Sequence, residues 1–434
     1  MPEIELRVPD RSLIVLVGAT GSGKTTFART HFRPSQVLSS DQLRAAVSDD
    51  ENNQAATADA FEVLHLIADR RLARARLTVV DATNVLRRAR EPLLRLAKTH
   101  NLPAVAVVLD LPEELLVRRA HERTDRRFGD DAVQVVRQQR AHLHAGLAGL
   151  EREGFRQVYV LRTPEEIDAA VVRPEPLPVD RRWDTGPFDV IGDVHGCRAE
   201  LVELLQLLGW QVEPDPDGRP VCARHPQGRT AVFVGDLVDR GPDTPGVLRL
   251  VMGMVEAGTA LAVCGNHDDR LARALRGRNV KRAHGLAASL EQLAQEPPEF
   301  RARVERFCSG LVSHYVLDRG RLVVAHAGLP EDLHGRDSRR VRSFALYGAT
   351  TGEVDEYGFP VRLHWENDYR GQATVLYGHT PTPEPQWVNR TLCLDTGCVF
   401  GGRLTALRYP EREMVSVPAH AVWHEHPRFR SAAP

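Results

Sequence analysis

The chain has 434 residues, with 57 lysines and arginines against 58 aspartates and glutamates and a formal net charge of −1. This length suffices for two or three domains, and 42% hydrophobic and 26% charged residues are typical of soluble globular proteins. Small scaffolds, global disorder and collagen-like structure are excluded, and a surface that binds polyanions has to be local.

The first part of the sequence alternates between short apolar runs, which predict buried strands, and longer amphipathic segments, which predict helices. The predicted strands are 12–18, 77–81, 104–110 and 158–161, and the predicted helices are 24–32, 58–76 and 87–100. Strands that alternate with helices of this length indicate a doubly wound parallel sheet, buried on both faces. We assign this α/β domain to residues 1–172.

A proline-rich segment, residues 173–187, carries four prolines and few apolar side chains, which predicts a semi-rigid linker. A second domain, residues 188–434, has shorter strands and two early helices, at 199–208 and 245–256. The predicted strands are 188–191, 231–234, 260–263, 322–325, 374–377 and 391–394. This pattern predicts a layered α/β sandwich.

The sequence shows no long apolar stretch near its start, and residues 1–10 are acidic, unlike a basic signal leader. Its six cysteines include no C-x2-C pair, which fits reduced thiols. We therefore expect a cytoplasmic protein without a membrane partner, and a homodimer remains open.

A phosphate-binding loop is predicted from Gly18 to Thr25, which match G-x4-G-K-[ST] between a strand and a helix. Glycines let backbone N–H groups face phosphate oxygens, while Lys24 reaches the β- and γ-phosphates and Thr25 can hold Mg²⁺. The predicted nucleotide-binding residues are Gly18, Gly21, Ser22, Gly23, Lys24, Thr25 and Thr26. ATP and Mg²⁺ are the expected ligands.

Two carboxylates near this loop have two interpretations each. Asp41 follows a predicted strand and is suited to accept the proton of an acceptor hydroxyl, or else to cap a helix. Asp81 ends another strand and would either organise Mg²⁺ or the acceptor, or form a local turn. Seven arginines between residues 118 and 140 predict either a mobile lid that neutralises the transferring phosphate or a solvated helix.

The second domain places metal-ligand side chains at the ends of its predicted strands. The segments are GDVHG at 192–196, GDLVDRG at 235–241, GNHD at 265–268, AHAG at 325–328 and YGHT at 377–380. Carboxylate, imidazole and amide ligands without thiolate suit Mn²⁺, Fe or Zn²⁺. Two ions close together could activate water and hold phosphoryl oxygens during displacement.

The chemistry of these side chains suggests a role for each. One ion is assigned to Asp193 and His195, the other to Asn266, His326 and His379, with Asp236 bridging both. Arg240 would bind the substrate phosphate and His267 would protonate the leaving oxygen. Asp395 is expected to orient a ligand, and Asp239 and Asp268 are expected to cap or orient without binding metal.

The order GDxHG, GDxVDRG, GNH and H-x-G resembles the calcineurin-like metallophosphoesterases over roughly residues 188–400. The first domain, with its phosphate loop, S-S-D-x-x-R segment and arginine cluster, resembles polynucleotide kinases. Together they are similar to the bacterial polynucleotide kinase-phosphatase family. The resemblance implies that Lys24 and Asp41 are catalytic, that Arg44 contacts the acceptor phosphate, and that Arg123 and Arg127 are lid arginines.

The resemblance implies a bifunctional enzyme that acts on RNA or DNA ends. One activity is an ATP-dependent 5′-hydroxyl kinase, and the other is a 3′-phosphatase or 2′,3′-cyclic phosphoesterase. The phosphoesterase is expected to use two divalent metals, with Mn²⁺ as the first candidate. Longer family members add a ligase domain, so we expect a separate ligase as partner. The alternative is a dinucleoside-polyphosphate or protein phosphatase fused to a small-molecule P-loop kinase. A nucleotide-gated phosphatase is a third interpretation.

Overall fold

The structure is a computed structural model that describes residues 3–122, 131–356 and 360–425. It divides into two compact units, which meet along the chain between Leu177 and Pro178, inside the proline-rich segment. Residues 336–338 cluster with the first unit. Among the described helices, none combines the length and apolar surface that crossing a bilayer requires.

The first unit is built on a parallel sheet of five strands in the order β3-β4-β2-β5-β6, with β1 and β7 paired separately. The strands are β1 Ile4–Pro9, β2 Leu13–Val17, β3 Val37–Ser39, β4 Thr78–Asp81, β5 Ala104–Leu109, β6 Gln157–Leu161 and β7 Ala170–Glu175. The helices are α1 Lys24–His31, α2 Ser40–Ser48, α3 Thr57–Ala73, α4 Arg87–Thr99, α5 Glu113–Glu122, α6 Ala132–Leu147, α7 Leu150–Glu153 and α8 Pro164–Ala169.

The central strand β2 explains why this sheet is covered on both faces. All five of its side chains are buried. Because side chains alternate along a strand, Val15 joins one apolar cluster, which includes residues of α3 and α4, while Ile14 and Leu16 join another that includes Phe27 of α1. The predicted doubly wound parallel sheet is confirmed.

The predicted linker differs from the structure in its first part. Strand β7 pairs in parallel with β1, so residues 173–175 belong to a strand. Leu177 and Val179 are buried as well. The prolines did not prevent this, because Pro174 lies in a sheet of only two strands, where every strand is an edge strand.

The second unit contains two sheets of five strands, in the orders β12-β11-β8-β20-β21 and β13-β14-β17-β19-β18. The strands are β8 Phe188–Ile191, β9 Gln211–Pro214, β10 Pro220–Arg224, β11 Thr230–Phe233, β12 Ala260–Ala262, β13 His314–Leu317, β14 Leu322–Ala325, β15 Thr350–Val354, β16 Pro360–Arg362, β17 Thr374–Tyr377, β18 Trp387–Val388, β19 Thr391–Cys393, β20 Arg403–Tyr409 and β21 Glu413–Pro418. The helices are α9 Arg198–Leu207, α10 Thr244–Glu256, α11 Asn266–Leu275, α12 Leu286–Ala294, α13 Pro298–Gly310, α14 Arg339–Tyr347 and α15 Trp365–Asp368.

These two sheets pack face to face. Val190 and Val232 of one sheet share an apolar cluster with Val324 and Leu376 of the other. The opposite faces contribute to a larger cluster that includes α10. The predicted α/β sandwich is confirmed.

The strand directions bring the loops of the second unit together. Strands β8, β11 and β12 are parallel neighbours, and so are β14, β17 and β19. Carboxyl ends of parallel strands meet at one edge of a sheet, so the predicted ligand segments, which follow these strands, are collected there.

His314 of β13 gives a test of this packing. Its side chain is fully buried, its Nε2 accepts a hydrogen bond from Gly335 N at 3.0 Å, and burial lowers its pKa from 6.5 to about 3. Below pH 6.5 the unfolded chain takes up a proton that the folded chain cannot, so stability is lost as the pH falls towards 3. The His314→Gln variant should lose this contribution. Between pH 6 and pH 4 the free energy of unfolding of the wild type, measured in urea, should fall by about 1.4 kcal/mol per pH unit more steeply than that of the variant. Equal slopes would contradict the assignment.

Candidate phosphoryl-transfer and metal sites

The phosphate loop of the first unit joins β2 to α1 in a conformation that needs glycine. Gly21 and Gly23 have φ values of 83° and 93°, the left-handed region. A Cβ on Gly18 would lie 2.6 Å from Ser22 Oγ and 2.8 Å from Leu109 O. The motif therefore adopts the tight loop that its spacing predicts.

Lys24 and Thr25, the first residues of α1, make contacts that define the centre of this site. Lys24 Nζ donates to Gly18 O at 2.8 Å and to Ala19 O at 2.9 Å, so its ammonium group lies across the loop. Thr25 Oγ1 donates to Asp81 Oδ2 at 2.8 Å. Burial raises the pKa of Asp81. A hydroxyl and a carboxylate side by side are oxygen ligands of the kind Mg²⁺ takes, so this geometry favours the metal interpretation of Asp81 over a local turn.

The predicted acceptor residues lie in the same place. A cavity of about 810 Å³ is lined by the phosphate loop, Thr26, Asp41, Arg44 and Asp81. Asp41 is the second residue of α2, whose N-cap is Ser39, so its carboxylate is not the cap. Arg44 is 5% exposed, donates to Glu51 O at 2.8 Å and pairs with Asp41.

The arginine cluster is divided by the structure. Arg119, which the sequence placed in the lid without a specific role, donates from Nη1 to Gly21 O at 3.0 Å. Arg137 instead forms an exposed ion pair with Glu113, as expected of a solvated helix. Arg123 and Arg127 lie outside the described residues. Gln139, which the sequence did not single out, accepts from Thr20 N at 2.7 Å.

The centre of the metal site in the second unit is Asp236, which follows β11 and is 2% exposed. Its Oδ2 lies 3.3 Å from His326 Nε2 and 3.6 Å from His195 Nε2. Two overlapping groups of ligand atoms share it: His195, Asp236 and His267, and Asp236, His326 and His379. Asp236 therefore belongs to both groups of candidate ligands.

The other predicted ligands converge around it. His326 Nε2 lies 3.0 Å from Asn266 Oδ1 and 2.9 Å from His379 Nδ1. Asp193 Oδ2 accepts from His379 N at 3.0 Å. Asp193 Oδ1 and His379 Nε2 are buried and have no hydrogen-bond partner in the described structure.

Backbone carbonyl groups orient two of these imidazoles through their Nδ1 atoms. His195 Nδ1 lies 2.8 Å from Val238 O and His326 Nδ1 lies 3.1 Å from Val234 O. A carbonyl can only accept, so each Nδ1 carries the proton and each Nε2 keeps a lone pair inside the cluster. Buried atoms without partners and unprotonated imidazole nitrogens fit divalent cations.

The electrostatics of the cluster agree with this fit. Burial lowers the pKa of His195 and His379 well below the ordinary value, which keeps both imidazoles neutral and able to bind metal. Burial, together with the nearby Asp395 and Asp236 carboxylates, raises the pKa of Asp193. Carboxylates crowded in this way repel one another unless cations lie between them.

Residues around the cluster hold it in shape. Asp239 Oδ2 lies 2.6 Å from His267 Nδ1, and Asp268 accepts from Leu237 N at 3.0 Å and Gly265 N at 2.9 Å. These contacts orient and cap, as expected for Asp239 and Asp268. Asp395 accepts from Gly397 N at 3.0 Å in its own turn, and that bond orients none of the predicted ligands. Burial raises the pKa of Asp395 to about 6.

A cavity of about 300 Å³ opens onto the metal cluster. Arg240 lines it, with its guanidinium 2.7 Å from His195 Nε2 and 5.2 Å from the centre of the Phe400 ring. The cavity is also lined by residues that the sequence analysis did not predict as part of the site: Arg270, His284, Tyr347 and Arg362. Arg270 is four residues after Asn266 in α11, a helical spacing that could have placed it on the same face.

Fold and site together define a metallophosphoesterase unit preceded by a P-loop kinase-like unit. The model of the calcineurin-like phosphoesterase family matches residues 186–415, and the model of an AAA domain matches residues 13–150. This chain belongs to the calcineurin-like phosphoesterase family. Neither matching model is that of a ligase. The family implies divalent metals, and the P-loop implies nucleotide binding.

Curated relatives match about half of the chain. Bis(5′-nucleosyl)-tetraphosphatase PrpE of Anoxybacillus flavithermus is 45% identical over 236 residues, which are 54% of this chain and 94% of that protein. The protein of the same name from Bacillus subtilis is 46% identical over 249 residues, 56% of this chain and 98% of its own length.

Proposed function

We propose that this chain heals nucleic-acid ends. Its first unit transfers the γ-phosphate of ATP to a 5′-hydroxyl of RNA or DNA, and its second unit removes a 3′-phosphate or hydrolyses a 2′,3′-cyclic phosphate. The observation that supports this most is that Asp41 and Arg44 line one cavity with Lys24 and Thr25. A ligase that joins 5′-phosphate to 3′-hydroxyl ends is the partner that such an activity requires.

In the kinase reaction the oxygen of the 5′-hydroxyl attacks the γ-phosphorus, its proton passes to Asp41, and ADP leaves. Lys24 neutralises the β- and γ-phosphates, and Thr25 with Asp81 would hold Mg²⁺. Arg44, fixed by Glu51 and Asp41, presents its remaining N–H groups to the acceptor's phosphate.

In the phosphoesterase reaction one cation would be held by Asp193, His195 and Asp236, and the other by Asp236 with Asn266, His326 and His379. Two cations bound there would polarise phosphoryl oxygens and lower the pKa of water. The ligand set, rich in oxygen and imidazole, suits Mn²⁺. Arg240 binds the phosphate, and His267, held by Asp239, protonates the leaving oxygen.

Asp41→Asn is expected to slow 5′-phosphorylation by about 10²- to 10⁴-fold, because the amide cannot take the proton. ATP affinity should stay the same, since the carboxylate serves the acceptor. Radiolabel transfer from ATP and a nucleotide-binding assay measure the two effects. Asp59→Asn, an exposed carboxylate in the first turn of α3, is the matched control. Weakened ATP binding with an unchanged transfer step would contradict the role.

A second candidate function is favoured by the relatives named bis(5′-nucleosyl)-tetraphosphatase. In that case the second unit hydrolyses a dinucleoside tetraphosphate and the first phosphorylates a small molecule. Comparing kcat/KM for a 3′-phosphate oligonucleotide, a 2′,3′-cyclic phosphate end and bis(5′-adenosyl) tetraphosphate decides between them. A preference of about tenfold or more for the tetraphosphate, with no 5′-phosphorylation of the oligonucleotide, would replace the end-healing proposal by this one.

A further inference from the structure

A second pocket adjoins the metal cavity. It has a volume of about 260 Å³, and its walls include the rings of Trp365 and Tyr377. Four residues line both this pocket and the metal cavity: Pro360, Arg362, His379 and Thr380. Since His379 is a predicted metal ligand, a molecule in the aromatic pocket lies directly beside the cluster. Among the residues that line this pocket, His379 alone takes part in the proposed reactions.

Trp365 is held in place by contacts from distant parts of the chain. Its ring lies against Gly328, where a Cβ would be 2.0 Å from the ring. The centres of the Phe344, Tyr369 and Tyr377 rings are 6.4, 5.9 and 5.5 Å from its own, all edge to face. The indole is nevertheless only half-buried. An aromatic ring fixed on several sides and still accessible is suited to bind a flat ligand.

The lining of the pocket also includes polar side chains. Glu366 Oε1 lies 2.8 Å from His364 Nδ1, and both residues line the pocket together with Thr382. A flat aromatic wall combined with a few hydrogen-bonding groups matches a nucleobase, which has π faces and a polar edge.

Positive charge lies at the junction of the two cavities. Arg362 lines both, and its Nη1 donates to Tyr347 O at 2.6 Å, which holds the guanidinium at this junction. A guanidinium between an aromatic pocket and a metal cluster is placed to contact the phosphate that links a base to the scissile bond.

We propose that this pocket binds the nucleobase of the nucleotide whose phosphate the metal unit hydrolyses. The inference rests on the proposed function, namely that the metal unit acts on nucleotide phosphates. The base belongs either to the last nucleotide of a broken strand or to one nucleoside of a dinucleoside polyphosphate, and the same aromatic wall serves both.

The test compares substrates with and without a base. One pair is a 3′-phosphate oligonucleotide and the same oligonucleotide ending in an abasic 3′-phosphate. The other pair is bis(5′-adenosyl) tetraphosphate and inorganic tetrapolyphosphate. Stacking on one aromatic side chain contributes about 1–3 kcal/mol, so Trp365→Leu should reduce the preference for the base-bearing member about 5- to 150-fold, mainly through KM. The pair that shows the effect identifies the source of the base.

Three further variants make the test specific. Trp365→Phe keeps an aromatic face and should retain most of the preference, while Tyr377→Leu removes the other ring of the pocket and should reduce it if Trp365→Leu does not fold. Trp387→Leu changes a tryptophan of β18 that does not line the pocket and is the matched control.

The outcomes separate the two proposals. Equal losses on both members of each pair would overturn the base pocket while leaving nucleotide hydrolysis intact. If the wild type hydrolyses p-nitrophenyl phosphate but no nucleotide, both the proposed function and this inference are wrong.

Discussion

Asp236→Asn is expected to lower phosphoesterase activity by about 10³-fold or more while leaving ATP-dependent phosphorylation unchanged. Asp236 lies within 3.6 Å of imidazoles from both halves of the metal cluster, so its loss affects both ions. Metal ions supply several kcal/mol of transition-state stabilisation, and 1.36 kcal/mol corresponds to a factor of ten. Rates on a 3′-phosphate oligonucleotide and metal content by elemental analysis measure the effect.

The reason lies in the charge of the carboxylate. Asp236 is 2% exposed among His195, His267 and His326, and its carboxylate supplies the negative charge that cations in this cluster would share. An amide in its place keeps the shape and loses the charge. Asp217→Asn, at a side chain that is 70% exposed, is the control. Normal activity with two bound metals in Asp236→Asn would rule out the bridging role.

Lys24→Ala is expected to reduce 5′-phosphorylation by about 10²- to 10³-fold or more, because its ammonium group is a fixed positive charge at the position of the phosphates. Lys24 is 8% exposed and lies across the loop that binds them. Phosphoesterase rates should be unchanged. Transfer of label from ATP to a 5′-hydroxyl oligonucleotide measures the loss.

Lys98→Ala is the matched control, since it is an exposed lysine at the end of α4. A change in phosphoesterase rate in Lys24→Ala, without any phosphate transfer in the wild type, would support nucleotide gating of the phosphatase in place of catalysis.

The parts of the fold that the sequence predicts are those with strong local patterns. Strands β2 and β5 are uninterrupted apolar runs, which are typical of strands buried on both faces of a parallel sheet. Because ligands bind at the carboxyl ends of parallel strands, the sequence predicts that residues such as Asp193 and Asp236 lie at the same edge of the sheet.

The parts that were missed depend on partners distant in sequence. Strand β1 pairs with β7, more than 160 residues later, and neither has an apolar run long enough to be recognised alone. The β20–β21 hairpin, which completes the first sheet of the second unit, was missed as well.

The aromatic pocket shows the same limit at the level of side chains. Trp365 forms part of the pocket wall because Gly328 and Phe344, from other segments, pack against it. No residue spacing in the sequence predicts these contacts. For Arg119 the limit is different. The sequence indicates the arginine cluster, but it does not indicate that Arg119 is the member that contacts the phosphate loop. The arginine pattern in the sequence indicates where the charged surface lies. Which arginine contacts the phosphate loop depends on how the helix packs.

The most direct test of end healing follows both ends of one oligonucleotide with a 5′-hydroxyl and a 3′-phosphate, incubated with the full chain, ATP, Mg²⁺ and Mn²⁺. The 5′ end should gain a phosphate and the 3′ end should lose one. The first step should be lost in Lys24→Ala and the second in Asp236→Asn. If neither end changes while bis(5′-adenosyl) tetraphosphate is hydrolysed, the chain is not an end-healing enzyme.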